Sequence, residues 1–206
     1  KEKERKAFAS SLAATLMDKR PKAVKGFVIR QLQVCGGIEQ DSAIAKFLTD
    51  PDEHIYEYAA QALEAIGPET VSHFRKAYAK AKGAPRLTIL QGLGVLEDSE
   101  SKAVFRNATK EKNLEIRLAG LWGLMRIASA EDVDLLLAQS LKESGWGRIK
   151  ATAYCLELAE NLEANGKNKE ARAIYLNIKK TRTDEHEEYL RESAARGLAR
   201  LKSLPS

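Results

Sequence analysis

The chain has 206 residues, of which 44% are hydrophobic and 31% charged, with a formal net charge of +5. This length fits one elongated domain or two small ones, and no apolar run is long enough for a transmembrane helix. The two cysteines, Cys35 and Cys155, show no zinc spacing and neither require nor exclude an oxidising compartment.

Charge is unevenly placed. Residues 1–25 hold eight basic and three acidic side chains, so the remaining 181 residues balance. Such a cluster reads as a solvated, partly frayed helix start rather than a nucleic-acid arm. The chain opens on Lys1 without an initiator methionine, as a processed form or a piece of a larger protein would.

In chain order, Glu4 to Asp18 is expected to be a helix with Phe8, Leu12 and Leu16 on one face, ended by Arg20-Pro21. Pro21 to Gly36 and Asp41 to Thr49 follow as a helix pair, with Gly36-Gly37 as the break. Asp52 to Ile66 and Pro68 to Lys82 form the next pair, and Arg86 to Leu96 with Ser99 to Lys110 the third. Ser99 is a candidate N-cap. Leu114 to Ala128 and Ala130 to Glu143 make the fourth, where Ser129 and Asp132 have the spacing of a capping box. A longer pair follows, its second helix at Asn168 to Lys180 with Gly166 in the turn, and a last helix from Asp184 to Lys202 carries acid at its start.

The first helices are copies of one pattern. Ile55, Ala59, Ala60, Leu63 and Ile66 share one helix face, and the same places are held by Val24, Val28, Ile29, Leu32 and Cys35. They return as Pro85, Ile89, Leu90, Leu93, Leu96; as Ile116, Gly120, Leu121, Leu124, Ile127; as Gly147, Ala151, Thr152, Cys155, Leu158; and as Leu190, Ala194, Ala195, Leu198, Leu201. Successive copies are 31, 30, 31, 31 and 43 residues apart. A fixed period of this size marks a helical solenoid. Both cysteines fall on apolar places of the pattern and read as small buried hydrophobes.

The segments IYEYAAQALEAIGPETV at 55–71, IRLAGLWGLMRIASAEDV at 116–133 and LRESAARGLARL at 190–201 resemble HEAT-like repeats of the short, phycobilisome-lyase type. KGFVIRQLQVCG at 25–36 with AIAKFLTD at 43–50 is also similar to HEAT domains of large exported bacterial proteins, which implies a periplasmic or secreted setting, a cytoplasmic one being the alternative. The longer pair, with Cys155, Leu158, Ala159, Leu162, Gly166, Ala171, Tyr175 and Ile178, resembles a tetratricopeptide unit. These resemblances imply fold more than function.

The fold class expected is therefore an all-α, right-handed α-α superhelical solenoid of about five helix pairs plus terminal capping helices. Its divisions are an N-terminal cap at 1–20, four HEAT-like repeats at 21–143, the longer pair at 144–183 and a C-terminal cap at 184–206. First helices are expected on the convex side and second helices on the concave side. The second helices would present Lys46, His73, Lys76, Lys80, Lys102, Arg106, Gln139, Lys142 and Arg172 as an interaction surface, with Trp146 exposed in a glycine-flanked turn.

One place of the pattern carries Lys25, Tyr56, Arg86, Arg117, Arg148 and Arg191, a basic ladder. It is either a phosphate-tracking stripe or a set of structural pairs, with Asp50, Asp52, Asp98 and Glu115 as expected acids. The run from Asp184 to Glu188 points in different directions around a helix and is not a metal site, and three scattered histidines build no catalytic triad. No catalytic residue and no cofactor is expected. The functional expectation is a monomeric protein-binding scaffold whose partner is another protein or a neighbouring domain. The alternatives are a nucleic-acid protein, as in the HEAT-like alkylpurine DNA glycosylases, and a bilin lyase or chaperone.

Overall fold

The computed structural model describes residues 1–17 and 19–203. Asp18, at the expected end of the first helix, lies outside the described residues. Regular structure among the described residues is entirely helical, and the chain divides into two compact units, Lys1–Ser101 and Lys102–Ser206.

The first unit runs α1 (Glu2–Thr15), α2 (Lys22–Cys35), α3 (Asp41–Ala45), α4 (Glu53–Ile66), α5 (Val71–Tyr78) and α6 (Ala84–Val95). Helix α4 packs against both α2 and α6, while α3 packs on α4 and α5 on α6. The places expected to be buried are buried at their centre: Val28, Ile29, Leu32, Ala59, Ala60, Leu63, Ile89, Leu90 and Leu93. Of the outer places Ile55 is buried, Cys35, Ile66, Pro85 and Leu96 are half-buried, and Val24 is exposed.

Helix α1 is fastened rather than frayed. Arg5 donates to the carbonyls of Cys35 and Gly36 at 2.8 and 3.1 Å, satisfying orphan acceptors at the C-terminus of α2. Lys6 reaches Glu39 at 2.7 Å, and Gln40 donates to Ser10 at 3.3 Å.

The second unit runs α7 (Lys102–Ala108), α8 (Leu114–Arg126), α9 (Val133–Lys142), α10 (Gly145–Ala164), α11 (Asn168–Thr181) and α12 (Glu188–Ser203). Helix α10 packs against α8, α9, α11 and α12. Its core holds Leu121, Leu124, Leu136, Ala151, Cys155, Leu158, Ala159, Ile178 and Ala194. Cys35 and Cys155 are free thiols.

Three segments expected as one second helix are split: Pro68–Thr70, Ser99–Ser101 and Ala130–Asp132 are 3-10 turns, each followed by a shorter α-helix, and a further 3-10 turn, Ile38–Gln40, precedes α3. The cause is visible at Asp98 and Asp132. Each follows a helix end closed by a residue in the left-handed region, Glu97 at φ 52° and Ala128 at φ 48° in turn. Asp98 is buried, accepting from the Ser101 hydroxyl at 2.6 Å and from Arg75 at 2.8 and 3.0 Å. Asp132 is buried likewise, accepting from Ser129 at 2.6 Å and Arg106 at 2.6 Å. Ser129 thus binds its acid side chain to side chain, not as a backbone cap, and Ser99 lies within a 3-10 turn instead of capping an α-helix.

A second regularity joins helices within each unit. A Cβ added at Gly92 would lie 2.2 Å from the Phe74 ring, at Gly123 2.3 Å from Phe105, and at Gly197 2.4 Å from Tyr175. These glycines stand seven places after Pro85, Ile116 and Leu190, so each occupies one register position. An aromatic ring from the preceding helix seats directly on helix backbone there.

Arg182, just after α11, is fully buried at 0% exposure. Its guanidinium donates to the hydroxyls of Thr152 (3.1 Å), Thr181 (2.8 Å) and Ser140 (2.6 Å), with Glu187 3.8 Å away. Burial, and then the charge of Arg148, push its pKa down.

Candidate interaction groove and basic surface

A concavity lies in the first unit, on first helices. Pro21 starts α2, and Asp52 caps α4 by accepting from the His54 amide at 3.2 Å. The two helices approach at Gly26, where a Cβ would meet Ile55 and Tyr58 at 3.4–3.5 Å. Between them runs a groove of about 750 Å³. Along α2 its wall is Phe27, Arg30 and Val34, with Phe27 62% and Val34 84% exposed. Along α4 it is His54 and Tyr58, whose rings stack with centroids 6.0 Å apart. The Arg30 guanidinium lies 5.4 Å from the Tyr58 ring centroid, a cation–π contact.

The groove was not among the expected surfaces, but it left a signal. Phe27 and Tyr58 occupy the same register place, three after Val24 and Ile55, where later copies carry Thr88, Ala119, Lys150 and Ser193. Large side chains outside the buried register have no core to enter.

The ten residues expected as an interaction surface have varied settings. His73 bonds Asp41 at 2.9 Å. Lys102 reaches Glu131 at 3.3 Å, and Arg106 holds Asp132 and Glu131. Gln139 donates to Glu143 at 2.9 Å. Lys46 is exposed, with its ammonium 3.4 Å from the Met17 sulfur. Lys76, Lys80, Lys142 and Arg172 are exposed. Trp146 is 52% exposed, with Lys150 5.8 Å from its ring centroid. Trp122 is half-buried under Arg126.

The basic ladder is engaged in structure. Arg117 binds Glu143 at 2.6 and 2.9 Å and two carbonyls, and Arg148 binds Glu187 at 2.6 and 3.0 Å. Arg191 donates to the carbonyls of Arg182 and Asp184, Arg86 to the Tyr78 hydroxyl, and Lys25 sits over Phe47. The Arg117 and Arg148 hydrogen bonds hold Glu143 and Glu187 below the usual carboxylate range. The partners are thus Glu143 and Glu187 rather than the expected Glu115 and Asp98, the latter taken by Arg75. Among the described residues, no three His, Cys, Asp or Glu side chains are grouped to hold a metal, and no helix is long and apolar enough to cross a membrane.

Glu64, on α4, is pushed up to about 7 by burial. A folded-state pKa above the unfolded value means that the folded chain holds the extra proton. That contribution is complete below the unfolded pKa, about 4.3, and is lost as pH rises through about 7. Glu64→Gln should therefore raise the melting temperature at pH 8 more than at pH 5. Parallel melting curves for both proteins across that range would contradict it.

No family model matches the chain, and no curated protein matches it. Solved structures do. A designed armadillo repeat protein, YIII(Dq)4CqI, is 17% identical with TM-score 0.52, over 93% of this chain and 98% of its own. An engineered protein from the Northeast Structural Genomics Consortium is 15% identical with TM-score 0.54, over 95% of this chain and 96% of its own. The fold is related to armadillo- and HEAT-type repeats. A further designed armadillo protein, in complex with the peptide (KR)4, is 15% identical with TM-score 0.52, over 91% of this chain and 98% of its own. The fold class is thus the all-α, right-handed superhelical repeat of paired helices with a capping helix at each end.

Proposed function

We propose that this chain is a non-catalytic protein-binding scaffold, one HEAT-like array within a larger protein, and that a partner polypeptide docks in the groove between α2 and α4. The observation that carries this reading is the pair Phe27 and Val34, large apolar side chains facing solvent beside the stacked His54 and Tyr58. Exposed apolar surface of this kind, rimmed by polar groups, marks interaction sites. The designed armadillo protein in complex with (KR)4 supports peptide binding on this type of fold. Nucleic-acid binding draws little support, because the ladder arginines already serve carboxylates and carbonyls.

The experiment is selection of a displayed random-peptide library on the folded protein, followed by titration of the enriched sequences. Phe27→Ser and Val34→Ser should each weaken binding about tenfold or more, the cost of losing a buried anchor. Lys76→Ala with Lys80→Ala should leave it unchanged. The reverse pattern would move the interface to the second helices.

A further inference from the structure

We infer that the groove takes an amphipathic helix that carries a carboxylate between two apolar anchors. This rests on the docking reading above and adds the chemistry of the partner. Phe27, Arg30 and Val34 lie at i, i+3 and i+7 on α2, so they form one stripe about 10.5 Å long at 1.5 Å per residue. The stripe reads apolar, cationic, apolar.

Arg30 is the informative member. It is exposed, and its guanidinium stands over the Tyr58 ring at 5.4 Å. Among the described residues its N–H donors meet no acceptor, and the Tyr58 ring is its neighbour. An arginine held in place by an aromatic face, with its donors unused, suits bidentate capture of a carboxylate.

The acids near the groove do not answer it. Asp52 is the one carboxylate lining the groove, and it is occupied at the other end of the stripe. It caps α4 at 3.2 Å and stands 3.6 Å from Lys22. Helix α2 itself, KAVKGFVIRQLQVC, contains three cations and no acid. The residues ahead of α2, 1–21, add a further net +3, which favours approach of an acidic segment and disfavours a Lys/Arg-rich one. A helix lying along α2 satisfies all three groups at once, since its own i, i+3/i+4 and i+7 positions match the stripe.

Three fluorescein-labelled synthetic helical peptides of about 16 residues test this, each with the same two apolar anchors. The residue between and flanking the anchors is Glu in the first, Gln in the second and Lys in the third. The Glu peptide should bind the wild-type protein about tenfold tighter than the Gln peptide, because a charged hydrogen-bonded pair replaces a neutral one. Arg30→Gln should erase that preference while leaving the Gln peptide's affinity in place. Phe27→Ser should weaken all three. Both substitutions are at exposed positions, and an unchanged melting temperature verifies the fold. The inference is overturned if the Lys peptide binds as tightly as the Glu peptide, if the Glu preference survives Arg30→Gln, or if the Glu peptide shows no binding up to ~1 mM. Where Phe27→Ser still weakens the peptides that bind, the docking reading stands and only the partner class falls. Where Phe27→Ser changes nothing, both fall.

Discussion

Gly123→Leu should unfold much of the second unit, and Gly123→Ala should destabilise it despite being a good helix substitution. Helix propensity alone favours alanine over glycine by about 1 kcal/mol. The first added carbon, however, would sit 2.3–2.7 Å from three atoms of the Phe105 ring. Phe105 is fully buried and has no free direction in which to move. Overpacking of this kind costs about 1–3 kcal/mol, so after the propensity gain alanine should produce a net loss of up to about 2 kcal/mol and leucine more than about 3. Gly26→Ala is the matched control. Its Cβ would meet Ile55 and Tyr58 at ordinary contact distance, so that variant should be neutral or slightly more stable. Urea midpoints for the two alanine variants should move in opposite directions. Equal shifts would mean that the ring–glycine contact has no energetic weight. Phe105→Ala combined with Gly123→Leu should lose at least ~1 kcal/mol less than the sum of the separate losses, since the leucine then fills the vacated space.

Arg182→Ala should cost about 3 kcal/mol or more, whereas Arg182→Met should cost about 1 or less. The difference follows from what two of the three hydroxyls do with their own protons. Ser140 donates to the Leu137 carbonyl at 2.8 Å, and Thr181 donates to the Asn177 carbonyl at 2.8 Å. They therefore meet Arg182 as acceptors and keep their own hydrogen bonds when it is gone. Glu187 also keeps its bidentate partner Arg148. Methionine would fill the volume and avoid burying a charge whose closest carboxylate is 3.8 Å away. Alanine would leave a cavity. Thermal denaturation distinguishes the two, and equal losses would assign the stabilisation to the guanidinium rather than to packing.

Much of the architecture was legible because it rests on spacing. The centre of the pattern, from Val28 and Ile29 through Ala59 and Ala60 to Leu121 and Leu124, is buried as its register requires. Helix starts such as Asp52 were legible for the same local reason. Three features were not. Two of the 3-10 turns, Ser99–Ser101 and Ala130–Asp132, adjoin Asp98 and Asp132, which are bound by Arg75 and Arg106 more than 20 residues away in sequence. Two rungs of the basic ladder form ion pairs with acids distant in sequence, Arg117 reaching 26 residues to Glu143 and Arg148 39 residues to Glu187. The groove is not legible in the pattern because Phe27 and Val34 are apolar residues that lie outside its buried register.

The glycine seats bear on how such a chain can be rearranged. Gly92, Gly123 and Gly197 each accept a ring, whereas the corresponding position of α10 holds Tyr154 and that of α2 holds Gln31. Moved behind α7, helix α10 would bring a tyrosine onto Phe105. A helix with glycine there, placed after a helix that lacks the ring, would leave a void. The three helices with such a seat thus specify the neighbour they can follow, so duplication or shuffling of those repeats should fail unless ring and seat travel together. The heritable module is then the junction between two repeats, not the helix pair itself.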